Sequence, residues 1–282
     1  MREGLREVQE TSKFLNFLYK NQYGRLVMKI FTSPFISKIV GIFMDSPLSI
    51  FMIKKFIREN NINMEDYQDE KYKSFNEFFT RRIRVDRRPI DMLQTNLISP
   101  CDAKLTVHRI DYESTFRIKN STYTISDLLN GDDISEKYIG GQALIFRLTV
   151  DDYHRYCYID NGRKSYNKKI KGELHTVKPI AFYDYPVFTR NSREYTILHT
   201  ENFGNVVQIE VGAMMVGRIS NNHEAGEIRR GQEKGKFEFG GSTIILLFEK
   251  DRVVIDGDII NNSLEHMETR VKMGETIGRR GI

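Results

Sequence analysis

The feature that most limits the fold lies beyond about residue 96, where short apolar segments alternate with Gly, Asp and Asn. Residues 105–110, 143–150, 206–211, 242–248 and 253–255 are long enough for strands and too short for ordinary helices. Only residues 125–129 read as a short helix there. A doubly wound parallel sheet needs long helices between its strands, and their lack speaks against it. The expected class is α+β: a mostly antiparallel β core carrying an N-terminal amphipathic helical layer. With 40% hydrophobic and 29% charged residues in a 282-residue chain, wholesale disorder is excluded as well. The two cysteines, Cys101 and Cys157, are too few for a disulfide framework.

The net charge of +5 is unevenly placed. The first sixty residues hold ten basic and five acidic side chains, so the rest of the chain balances to zero. The same sixty residues are rich in Phe, Ile, Leu and Met. Lys20, Arg25, Lys29, Lys38 and Lys54 interrupt every apolar run before it reaches the 18 or so residues that a spanning helix needs. Three glutamates among the first ten residues also speak against a signal peptide. Apolar residues at helical spacing between cations predict short amphipathic helices, broken near Pro34 and Pro47. Such helices either lie in an anionic membrane surface or pack on the protein's own core.

Ser74 with Glu77 predicts a capped helix over residues 74–82. The basic run that follows, Arg81, Arg82, Arg84, Arg87 and Arg88, suits phosphate binding or, more simply, a solvated helix end. The sequence contains no GxxxxGK[ST] loop, G-x-G-x-x-G, CxxC or HExxH. Its six scattered histidines have no ligand spacing, so no metal site is expected. A neutral β core and the lack of a recognisable module rank nucleic acid low as a partner.

Three segments look chemical. Ser99-Pro100-Cys101-Asp102 is a proline turn that sets a carboxylate before a strand, though turn stabilisation alone explains such an aspartate. Asp151-Asp152-Tyr153-His154-Arg155-Tyr156-Cys157 follows a strongly apolar strand; a histidine there is commonly structural. Gly240-Gly241-Ser242-Thr243 leads into another apolar strand, where a glycine pair ordinarily marks a turn or bulge.

Taken in order, these segments resemble the phosphatidylserine decarboxylase proenzyme family. Phe75-Asn76-Glu77-Phe78-Phe79-Thr80-Arg81 is similar to its FxxFFxR block, Ser99-Pro100-Cys101-Asp102 to its S-P-x-D turn, and Asp152-Tyr153-His154-Arg155 to its D-Y-H-R block. Gly212-Ala213-Met214-Met215-Val216-Gly217 resembles its G-A-x-x-V-G segment, and residues 234–243 its self-cleavage block. Each block is weak alone; the ordered set is strong.

The resemblance implies that Ser242 attacks the Gly241 carbonyl, and that the resulting ester eliminates to leave a covalent pyruvoyl cofactor at position 242. The products would be a β chain of residues 1–241 and an α chain of residues 242–282. The pyruvoyl carbonyl would act as electron sink while phosphatidylserine loses carbon dioxide to become phosphatidylethanolamine, a step of phospholipid biosynthesis. Asp102, Ser242 and a histidine would form the self-cleavage triad, and His154 would transfer a proton during decarboxylation. This chain departs from the family pattern at three places. Cys157 stands where a second histidine, the usual base, is expected; Ala103 replaces a glycine, and Arg218 replaces a serine. The base is therefore open among His154, Cys157, His175 and His199. Two alternatives are a silent homologue that never cleaves and a thiol hydrolase using Cys157, His154 and Asp102. A pyruvoyl decarboxylase of soluble amino acids is a third, disfavoured by the apolar N-terminus.

The expected organisation is a helical, basic, membrane-associating region at residues 1–90 and a β-rich catalytic domain at 91–282. The expected location is peripheral, on an anionic membrane surface at the cytoplasmic face. The α and β chains would stay together, and a homodimer is an assembly this scheme allows.

Overall fold

In the computed structural model, residues 2–6, 13–118, 121–183, 185–214, 218–239 and 242–281 are described. Gly240 and Gly241 of the expected cleavage site, and residues 215–217 of the G-A-x-x-V-G segment, lie outside them.

Proline and capping chemistry divide the N-terminal helices much as the sequence predicts. Helix α1 spans Lys13–Lys20, and α2, Gln22–Phe31, begins at Asn21, whose side chain accepts from the Tyr23 and Gly24 amides. At Gly24 the chain has room for nothing larger, since a Cβ would lie 1.9 Å from the Phe17 carbonyl oxygen. Pro34 opens α3, Pro34–Asp45, because its missing N–H costs nothing in a first turn. A 3-10 turn at Pro47–Ser49 then leads into α4, Phe51–Glu59. No single described helix is long and apolar enough to cross a bilayer; α2 and α3, bent by 59° at their junction, reach that length only as a pair.

The predicted capped helix is shorter than expected, α5 at Phe75–Phe79. Ser74 Oγ accepts from the Glu77 amide at 3.1 Å, while the Glu77 carboxylate reaches back to the amide of Lys73 instead of Ser74. The chain stops being helical at Thr80, whose hydroxyl bonds back to the Asn76 carbonyl.

Among the described residues, a ten-stranded sheet dominates the remaining chain. Its centre is Ser242–Phe248, paired antiparallel with Gln142–Leu148 on one side and Gly204–Val211 on the other. Ala103–Arg109 and Glu268–Val271 continue outward beyond Gln142–Leu148, and Gly4–Leu5 adds a short edge strand from the far N-terminus. Arg193–Thr200 extends the other side. The α+β architecture read from the sequence is therefore the one observed.

Alternate residues of the central strand enter different cores. Ile245 and Leu247 join Leu18 and Tyr19 of α1, whereas Ile244, Leu246 and Phe248 join Tyr156, Cys157 and Cys101. A strand covered on both faces reads as an unbroken apolar run, which is why residues 244–248 show no alternation. A third cluster joins α3, α4 and α5 through Met44, Ile53, Phe75, Phe78 and Phe79, and includes Tyr153.

Candidate active site

Strand register gathers the five sequence blocks at one end of the sheet. Ser242, the first residue of the central strand, lies opposite Leu148, and Thr243 lies opposite both Arg147 and Val211. Arg147 also pairs with Lys104, so the turn ending at Asp102 reaches the same end. Gly212 follows Val211 directly. The chain leaving Leu148 runs through Asp152 to His154, and there it meets the segment upstream of Ser242. Phe237 N–H donates to the His154 carbonyl at 2.9 Å, and Lys236 pairs with Arg155. The segments 237–242 and 148–154 are thus tied to each other at both ends.

The first block closes over this junction. Arg155 Nε donates to the Thr80 carbonyl at the end of α5 (2.8 Å), and the Phe79 ring lies 4.1 Å from the His154 ring. Arg81, from the basic run, is buried rather than solvated: its guanidinium stacks on Tyr67 and Phe78 and donates to the Tyr67 hydroxyl. Arg88 is also used internally, as a forked partner of the Asp102 carboxylate at 2.8 and 3.0 Å through Nε. The Met273 amide donates to Asp102 too. Asp102 therefore spends its oxygens on Arg88 and a backbone amide, and among the described residues it has no hydrogen bond to His154 or Cys157.

His154 is wholly buried. Its Nδ1 lies 2.9 Å from the Asp152 carbonyl, which can only accept, so Nδ1 carries the proton and Nε2 keeps its lone pair. Among the described residues that Nε2 has no partner. Burial, followed by the nearby Arg81 charge, pushes the imidazole down to about 3, so it is neutral at any ordinary pH. Asp152 holds the loop closed by accepting from the Thr149 amide and hydroxyl, and burial lifts its carboxyl to about 6. Ser242 is 1% exposed, and among the described residues its hydroxyl has no partner either.

Of the other candidate bases, Cys157 is buried against the proline turn, its amide donating to the Pro100 carbonyl, and burial pushes its thiol up to about 12. It is protonated at neutral pH. Both ring nitrogens of His175 are engaged, Nδ1 with the Tyr19 hydroxyl and Nε2 with Glu173. His199 pairs with Asn205, at the opposite end of the strand pair from Val211. Arg218, the residue in place of serine, forms ion pairs with Glu238 and with Asp45 of α3.

Two features escaped the sequence reading. One is the fully buried Lys234–Glu210 ion pair at 2.7 Å, which stitches Glu233–Phe237 to the strand beside Ser242. The other is the set of roles taken by Asn76 and Arg88, which sit inside recognisable segments but whose contacts span many residues of sequence. Lys234 sits among Glu233, Lys236 and Glu238, so neither its burial nor its partner leaves a signal in the local sequence.

Comparison with known proteins places the chain in a family. The family model described as phosphatidylserine decarboxylase matches residues 75–279. The phosphatidylserine decarboxylase proenzyme 2 of Clostridium acetobutylicum is 48% identical over 273 residues, covering 96% of this chain and 94% of that protein. Phosphatidylserine decarboxylase proenzymes of Ruminiclostridium cellulolyticum and Clostridium novyi are 43% and 40% identical, over 94% and 95% of this chain and 91% and 92% of their own lengths.

Proposed function

The chain belongs to the phosphatidylserine decarboxylase family and is a decarboxylase, and from that premise we propose that it is a self-processing proenzyme whose Ser242 becomes a pyruvoyl group. One observation carries the reading: a buried Ser242 hydroxyl, without a partner among the described residues, at the head of the central strand and opposite Leu148, from which the chain leads on to His154. The residues present fit the group, because the hydroxyl that must be converted and a lone-pair nitrogen are both buried at one sheet end with no partner among the described residues.

Ser242 Oγ attacks the Gly241 carbonyl; the C–O bond of an ester forms, the C–N bond breaks, and the proton passes to the Ser242 amine. Loss of the α proton then breaks the Cβ–O bond and releases Gly241 as a carboxylate. The dehydroalanine left at 242 takes up water and releases ammonia. A hydroxyl needs a base for the first step. His154 Nε2 is favoured for it: the neutral tautomer is held by the Asp152 carbonyl, whereas the Cys157 thiol is protonated. Asp102, held by Arg88 and the Met273 amide, contributes a fixed negative charge to the same end of the sheet. Exclusion of water from Ser242 disfavours premature hydrolysis of the ester. Once formed, the pyruvoyl group supplies an electron sink as phosphatidylserine loses carbon dioxide. His154 then serves to hand on a proton that yields phosphatidylethanolamine.

The protein works at the cytoplasmic face of an anionic membrane, docked through α2–α4. This reading is supported by Leu26, Phe35, Ile42, Leu48 and Phe51, each at least 65% exposed, between the cations of the same helices.

Intact-mass analysis of the purified protein tests the central claim. Two chains divided between residues 241 and 242, the smaller bearing pyruvoyl and reacting with hydroxylamine, are expected, with Ser242→Ala remaining whole at 33.1 kDa. A wild-type chain that stays whole would refute self-processing.

A further inference from the structure

We infer that Asn76 is a positioning residue for self-processing, holding the chain just upstream of Ser242; the inference rests on the self-processing reading above. Asn76 is 7% exposed and uses both ends of its amide on the processing segment. Its Oδ1 accepts from the Phe239 amide at 3.1 Å, and its Nδ2 donates to Glu238 at 3.1 Å and to Asp45 at 2.7 Å. A primary amide is the one neutral side chain that can accept from a backbone N–H and donate to two carboxylates at once. Arg218 completes the arrangement by pairing with the same two carboxylates.

The position of this clamp in the chain gives it a purpose. Downstream, Ser242 is fixed by its pairing with Leu148. Upstream, Phe239 is fixed by Asn76, and its ring packs on Phe75 and Phe79 of the same short helix (4.9 and 5.2 Å). The bond to be rearranged therefore lies between two anchors three residues apart, one on the sheet and one on α5. Attack of a hydroxyl on its own preceding carbonyl needs a tight approach, and a misplacement of about 1 Å can cost roughly a hundredfold in rate. Among the described residues Asn76 bonds to no reacting atom; it acts through Phe239 and Glu238.

The test follows the full-length protein during expression, scoring the appearance of the 242–282 chain on gels and by intact mass. Asn76→Ala is expected to slow processing at least tenfold, and Asn76→Asp similarly, since it sets a third carboxylate against Asp45 and Glu238. Ser74→Ala is the control: it removes the cap of the same helix and leaves Asn76 in place, so it should process within about twofold of wild type. Hydroxylamine added to the folded precursors reads the ester directly, and should cut wild type and Ser74→Ala much faster than Asn76→Ala. Wild-type processing or hydroxylamine cutting in Asn76→Ala overturns the inference, as does an equal slowing by Ser74→Ala. A wild-type chain that never divides overturns the self-processing reading itself, and the clamp with it.

Discussion

Replacing Lys234 by methionine should destabilise this protein severely, and replacing its partner as well should restore it. Lys234 and Glu210 are both 0% exposed and 2.7 Å apart. Lys234 also donates to Asn221 at 2.9 Å, and Asn221 in turn reaches Glu210 at 3.4 Å, so without the lysine the carboxylate keeps one long neutral hydrogen bond. Removing one member of a buried pair strands the other charge, at a typical cost of about 3–5 kcal/mol. For a chain of this size that is a fall in Tm of roughly 6–20 °C, at about 2–4 °C per kcal/mol. The sign of the pH effect follows from Glu210, whose carboxyl is raised by burial despite Lys234. A carboxyl raised in the folded state is disfavoured when ionised, so the penalty is full at neutral pH and shrinks as pH falls towards about 4. Lys234→Met with Glu210→Leu leaves no stranded charge and should recover to within about 1 kcal/mol of the parent. Urea denaturation in a Ser242→Ala background, where one uncut chain unfolds, measures all of this. The reasoning is refuted if Lys234→Met alone costs under 1 kcal/mol, or if the double variant is no more stable than the single.

Four further outcomes follow. His154→Ala is expected to stop division between residues 241 and 242; a divided protein whose carbon dioxide release alone falls about 10²–10⁴-fold would confine His154 to decarboxylation, and normal behaviour in both assays would remove it from the mechanism. Its imidazole is held down to about 3, so that part of the stability is present above the unfolded value near 6.5 and is lost as pH falls towards 3. Cys157, buried with its thiol pushed up to about 12, should resist iodoacetamide in the native protein at pH 8 and react only on unfolding; rapid native labelling would revive it as a base. Phe35→Glu together with Phe51→Glu should weaken sedimentation with phosphatidylserine-rich vesicles at least tenfold without lowering Tm, because both rings are about 70% exposed or more; undiminished sedimentation would discount the helical face as the docking surface.

Local chemistry determined a large part of this molecule. Pro34 and Pro47 set the helix breaks, Ser74 and Glu77 the start of α5, and the apolar runs the central strands, since each depends on neighbours within a few residues. The ordered motif blocks named Ser242, Asp102 and His154 as a set. The tertiary structure alone decided how those residues are poised. The basic run 81–88 reads as a solvated helix end, yet Arg81 is drawn under two aromatic rings and Arg88 onto Asp102, fourteen residues away. The His154 tautomer, the protonated Cys157 thiol, the Lys234–Glu210 pair and the hold of Asn76 on Phe239 depend on burial and on partners up to 163 residues distant in sequence. Propensity and capping act along the chain and leave a signature in it; desolvation and cross-chain hydrogen bonds come into being only when the sheet brings those segments together.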